Sequence, residues 1–292
     1  MTGPPFVVTK TYPPRGPLQQ FRAEQSMPFT CIRCGQDKIS KLQSVYQGDW
    51  SRTLCNGCYG RLLSIYEIQA GTEADDVKTD QLVSVLIGIV SAADAQTALR
   101  RTTYSRNPEQ FLCDDSLRFL GSAEYLASVL EGQSSLEWSG AVIGLCKAAE
   151  RELLERFLQP LQGTCTSEEI TNEFGDPDLG PLARWIAGNA KAPELGTLRR
   201  SLVTVSNSQR RAESSFVIKS IRRLSMKWPR GRWLLDPNGL VLGLDTLTHY
   251  RNDAAHLGSP SSDDYRNCRE LVIGERGMIW NLVDATSPRA TQ

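Results

Sequence analysis

From about residue 80 onward the apolar positions recur three and four apart, a spacing that predicts helices rather than strands. Leu82, Val85, Leu86, Ile89 and Val90 fall on one stripe, and 116–130 supplies a second amphipathic segment beyond a break at Asn107-Pro108. Trp138, Val142, Leu145, Ala149, Leu153 and Phe157 keep helical spacing until Pro160, which has no amide hydrogen to continue the ladder. The other face of that helix carries Lys147, Glu150, Arg151, Glu152, Glu155 and Arg156, which read as a solvated face with pairs four apart such as Glu152 with Arg156. Residues 165–180 form a polar loop, shorter helices are expected over 182–189 and 195–205, and a longer one spans 208–228. Asp236-Pro237-Asn238-Gly239 is a turn. A helix over 246–256 follows, with Gly258 as its stop. Ser261 or Ser262 caps a last helix on which Tyr265, Cys268, Val272, Ile279 and Val283 align, with Gly274 and Gly277 as points of kinking. The fold class is therefore mainly α, with a C-terminal helical bundle.

Ahead of the helices the pattern changes. Pro4, Pro5, Pro13, Pro14 and Pro17 mark 1–25 as an extended or disordered lead-in without the apolar core of a signal peptide. Residues 26–70 hold a cysteine-rich module, 71–133 an acidic linker and a helical connector, and 134–286 the bundle. A length of 292 residues suggests two domains with a small third module. Hydrophobic content of 40% and charged content of 23% are those of a soluble globular protein. The longest strongly apolar stretch, Leu82 to Val90, is too short to cross a bilayer, so no membrane partner is expected and a cytoplasmic location is the natural inference. Net charge is zero, but residues 1–66 hold eight Lys/Arg against three Asp/Glu.

The eight cysteines divide by spacing. Cys31 and Cys34 form one C-x2-C, Cys55 and Cys58 another, an arrangement that offers four thiolates to one tetrahedral Zn2+ ion per chain. A pair of disulfides or a redox C-x2-C is the competing reading, disfavoured by the second pair and a reducing compartment. Cys113, Cys146, Cys165 and Cys268 stand alone among apolar helix positions and read as small buried hydrophobes.

The run Trp50-Ser51-Arg52-Thr53-Leu54-Cys55-Asn56-Gly57-Cys58-Tyr59-Gly60 resembles the second half of a GATA-type treble clef. That resemblance implies a knuckle bearing the first two ligands and a helix start bearing the second two. The loop between the pairs is slightly longer than GATA spacing. After Cys58 the helix continues Arg61-Leu62-Leu63-Ser64-Ile65-Tyr66-Glu67-Ile68, apolar where a DNA-binding finger stays basic. An apolar face points to docking against protein. Lys38, Lys41 and Arg52 keep nucleic-acid contact open.

The densest chemistry is Arg251-Asn252-Asp253-Ala254-Ala255-His256, which holds one of the two histidines. Arginine grips a phosphate with two parallel hydrogen bonds, and histidine moves protons near neutral pH. The plain alternative is a helix C-terminus, where a histidine suits the dipole. Arg-Asn-x-x-x-His near the end of the penultimate helix resembles the signature of the HEPN superfamily, small helical bundles that include metal-independent ribonucleases of RNA processing, toxin systems and anti-phage defence. The resemblance covers roughly the last half of the chain. It implies Arg251 and His256 as the catalytic pair, with Asn252 as their polar companion.

Between Arg199 and Arg232 lie ten basic residues and one acid, Glu213. Arg210, Arg211, Lys219, Arg222, Arg223 and Lys227 recur along the helix expected over 208–228, and the one-sided charge points to RNA, with the first five as the expected RNA-binding set. Five residues at 100° each put Arg251 and His256 about 140° apart, so one helix face cannot hold both. Family members solve this by pairing motif helices across a two-fold axis, which implies a homodimer. Three functions remain: a ribonuclease effector whose finger senses a protein or nucleic-acid trigger, a non-catalytic HEPN-like scaffold, and a zinc-finger DNA-binding regulator.

Overall fold

The structure is a computed structural model that describes residues 4–131, 138–162, 164, 167–256 and 260–287. Four antiparallel strands open the chain as a meander: β1 (Val8–Thr11), β2 (Leu18–Thr30), β3 (Asp37–Tyr46) and β4 (Asp49–Leu54). β2 pairs with β3 from Leu18 opposite Tyr46 to Thr30 opposite Asp37, with an irregularity between Arg22 and Met27. The β3–β4 turn is Gln47-Gly48, with φ of 55° and 70°, the left-handed backbone that a two-residue hairpin loop demands. The expected lead-in thus supplies β1 and the first part of β2. Its prolines precede β1 or fall in the turn between the strands, where they interrupt no ladder. Leu18, Tyr46, Leu54 and Leu62 close around Cys31 and Cys58 as a second, small core.

Helices build the rest: α1 (Asn56–Ala70), α2 (Asp75–Ile89), α3 (Ala92–Arg101), α4 (Asp114–Leu130), α5 (Ser139–Leu153) and the short α6 (Ser167–Ile170) come first. They are followed by α7 (Gly180–Ile186), α8 (Leu195–Asn207), α9 (Phe216–Lys227), α10 (Leu242–Ala255), α11 (Ser262–Ile273) and α12 (Met278–Thr286). α5 is the central strut, packed on α4, α2, α10 and α11. α3 and α4 approach so closely that a Cβ at Gly121 would lie 2.3 Å from the Ala95 carbonyl oxygen. Buried side chains from Ile65 of α1 to Ala285 of α12 form one apolar core, so α2 to α4 share the bundle's interior.

Local chemistry moves several expected boundaries. The helix expected over 208–228 breaks into a single turn, Arg210–Ala212, and α9. Ser215 caps α9 by accepting from the Ile218 amide at 3.1 Å, and Glu173 accepts from the Phe216 and Val217 amides at 2.6 and 3.2 Å. A serine-rich step with a carboxylate waiting for its orphan amides starts a helix rather than continuing one. The segment expected as a polar loop supplies that carboxylate and also buries Ile170. The last helix divides at Gly274–Gly277 into α11, begun by a Ser261/Asp264 capping box, and α12. On α5, Glu152 was expected in solvent but is fully buried. Its carboxylate accepts from the Cys113 amide at 2.9 Å, at the start of α4. Cys146 and Cys268 are buried as expected, whereas Cys113 is half-buried. Cys165 and Gly258 lie outside the described residues.

Candidate metal centre and motif helix

Cys31 and Cys34 flank the knuckle between β2 and β3. The Cys31 amide donates to Gln36 O at 2.9 Å, and the Gly35 amide donates to Cys31 O at 2.8 Å. Gly35 has φ +66°, which keeps this turn open to glycine. Cys55 is the N-cap of α1 and Cys58 stands in its first turn, so a knuckle and a helix start each present two thiols. All four sulfurs lie within 4.8 Å of one another, and Cys34 Sγ is 3.9 Å from Cys55 Sγ. Metal–sulfur bonds of about 2.3 Å in a tetrahedron would set sulfurs about 3.8 Å apart, so the donor set fits one metal ion. A hydrogen bond from Cys58 holds the Cys31 thiol down at about 4, and the same contact together with burial pushes Cys58 far up. Four neighbouring thiols cannot all ionise unless a cation sits among them.

The apolar face of α1 does dock on protein, and the protein is this chain's own bundle. Ile65 enters the main core, while Ile68 and Ile32 pack against it. That face is covered, so it is not presented to a DNA groove.

Arg251 and His256 leave α10 in different directions. Arg251 is 5% exposed, and its Nε lies 3.3 Å from Glu150 Oε1 without completing a hydrogen bond. Glu150 also meets Lys147 at 2.7 Å, and Lys147 reaches Asp80 at 3.2 Å. These groups line a cleft of about 550 Å³ bounded by α2, α4, α5, α8 and α10, whose apolar side includes Phe119 and Leu154. Leu154 opens a π turn (Leu154–Leu158), a distortion that often accompanies functional sites. His256 ends α10 as its C-cap, exposed, with its amide donating to Asn252 O at 3.0 Å and Asp253 O at 3.3 Å. It does not line the cleft. Asn252 is half-buried one turn before it. His249, Asp253, His256 and Leu242, the last 53% exposed, form the solvent-facing stripe of α10. His249 Nδ1 lies 2.8 Å from Asp245 O. In one chain, then, the motif's cation and its imidazole are not brought together.

The basic cluster is likewise divided. Arg210 and Arg211 stand before α9, and Arg211 pairs with Asp176 and Asp178. Arg222 turns inward and donates to Val205 O at 3.0 Å. Lys219, Arg223 and Lys227 lie four apart on the exposed side of α9, without an ion pair among the described residues. Lys219 rests over the Phe216 ring. Lys227, the last member of the basic run read from the sequence, completes the stripe.

No protein-family model, curated protein or solved structure matches this chain. Among the described residues, no helix is long and apolar enough to cross a membrane.

Proposed function

We propose that this chain is a metal-independent endoribonuclease of HEPN type, with His256 as the group that moves the proton. The observation that carries the reading is the end of α10, where His256 is exposed directly after the buried Ala254 and Ala255. Asn252, one turn earlier, is the polar companion, and Arg251 supplies a permanent cation on the cleft side of the same helix. In the reaction an RNA 2′-oxygen bonds to the adjacent phosphorus as the bond to the 5′-oxygen breaks. His256 takes the proton of the attacking hydroxyl and gives it to the leaving 5′-oxygen, and Arg251 offsets the charge gathering on the phosphorane. The products are a 2′,3′-cyclic phosphate and a 5′-hydroxyl. The separation of Arg251 from His256 within one chain is the reason to assign a homodimer. Lys219, Arg223 and Lys227 would follow the RNA backbone. Zn2+ would be the ion of the four cysteines, structural because four thiolates leave no open position. The finger then serves as the module that senses a trigger in a toxin or anti-phage effector. Incubating purified protein with mixed RNA in buffer without added divalent metal tests the reading, which requires fragments ending in cyclic phosphate.

A second reading draws on the Arg251–Glu150 pair. A guanidinium held against an acid on α5 also serves to fasten α10, and a scaffold without catalysis needs no more than that. Folded protein that leaves RNA intact, at any concentration or oligomeric state, would favour this scaffold.

A further inference from the structure

Gln69 sits at the far end of α1 from the cysteines and is buried. Its Nε2 donates to Ala254 O at 2.8 Å and to Ser139 Oγ at 2.9 Å. The Gln69 backbone carbonyl accepts from Lys78 Nζ, also buried, at 3.2 Å. Ala254 lies two residues before His256, in the last turn of α10, where helix carbonyls have no donor within the helix. Ser139 opens α5, the helix that carries Glu150. One side-chain amide therefore ties three elements: the finger helix, the start of the central strut and the histidine end of the motif helix. The residue type is dictated by this geometry. The Ala254 carbonyl needs an N–H, which an ionised glutamate lacks, and an asparagine is one methylene short. At 1.5 Å per residue, α1 carries Cys55 and Gln69 about 21 Å apart on a single rod. Ile65 fixes the rod against the core on the way.

We propose that Gln69 is a positioning residue that couples the four-cysteine centre to His256, so that the state of the finger sets the placement of the imidazole. This rests on reading His256 as the catalytic group. Ordering of the knuckle fixes the start of α1, α1 fixes Gln69, and Gln69 holds the last turn of α10. The finger is then a sensor by mechanics: a trigger that tilts α1 slackens the bond to Ala254 O and misplaces His256.

The test uses the full chain and the two histidine imidazole signals in proton NMR, assigned with His249→Ala and His256→Ala. Gln69→Met keeps the volume and removes both donors. It is expected to shift the His256 signal, leave His249 in place and lower kcat about tenfold with KM little changed, as misplacement of a reacting group does. Ser139→Ala, which spares the Ala254 bond, should leave the His256 signal where it is. Stripping metal with a chelator, followed by metal analysis, should move the His256 signal in the wild type and not in Gln69→Met. If Gln69→Met does not fold, Gln69→Glu offers the same length without donors at neutral pH. Folded variants with an unshifted His256 signal, an equal shift in Ser139→Ala, or no response of the wild type to metal removal would each overturn the proposal. Cleavage that survives in His256→Ala would instead remove the catalytic reading, while the NMR comparison would still decide what Gln69 does.

Discussion

Arg251 keeps a permanent charge at 5% exposure, and Glu150 is the neighbour that makes this tolerable. Removing one partner of a buried pair commonly costs about 3–5 kcal/mol. Here Lys147 remains 2.7 Å from Glu150, so the acid is not abandoned. Arg251→Ala is therefore expected to lose about 1–3 kcal/mol in denaturant unfolding, the cost of a weakened polar site rather than of an orphaned ion. The double change Arg251→Met with Glu150→Gln should recover part of that loss without restoring cleavage. Arg251→Lys should keep the fold and fail in activity, because an ammonium cannot reproduce the planar two-pronged grip. His249→Ala should cleave normally, its ring being engaged with the Asp245 carbonyl one turn back. The letters of the motif were legible in the sequence. The partner of Arg251 was not, because Glu150 belongs to a charged run that reads as solvated until α10 is known to cover it.

At the level of elements, capping and turn chemistry decide what periodicity leaves open. Periodicity found α5, α8 and α10, but it ran through Ser214-Ser215 and through Gly274–Gly277, where side-chain caps and glycines end one helix and begin another. The strands were missed because prolines dominate the first residues, although Gln47-Gly48 is the kind of step that closes a hairpin. The split of the basic cluster has a direct consequence. Changing Lys219, Arg223 and Lys227 to Glu should weaken RNA binding and flatten its salt dependence, as each lost phosphate contact reduces counterion release. Arg211→Glu should instead lower stability, since it turns a pair with Asp176 into a repulsion. α12 is tied to the approach to α4 by Arg106, which donates to both oxygens of Asp284 at 2.6 and 2.9 Å, with Arg230 at 3.2 Å. The hydrogen bonds from Arg106 hold the Asp284 carboxyl below its usual range. A depressed carboxylate contributes stability above the unfolded value, near pH 4, and loses it as pH falls through the lower folded value. Asp284→Asn should thus cost about 1 kcal/mol at neutral pH, and its deficit should shrink in acid unfolding measurements.

Across the whole molecule, the sheet and its cysteines form a small core that is not separate from the bundle, because Ile65 and Gln69 join α1 to it. The two modules were legible in the cysteine spacing and the helical periodicity. Their docking was not, since an apolar stripe announces that it will be covered without naming the cover. Metal analysis should return about one equivalent per chain. Cys55→Ser should lose the metal, keep most helical circular dichroism and lower Tm, as the docked α1 loses its anchored start. The account depends most on His256. The direct measurement is cleavage of a defined RNA by purified wild type and His256→Ala in buffer without added divalent metal, with fragment ends identified by mass spectrometry. The account predicts 2′,3′-cyclic phosphate ends from the wild type and none above background from a folded His256→Ala. Equal cleavage by the two proteins, or cleavage that appears only when Mg2+ is added, would contradict it.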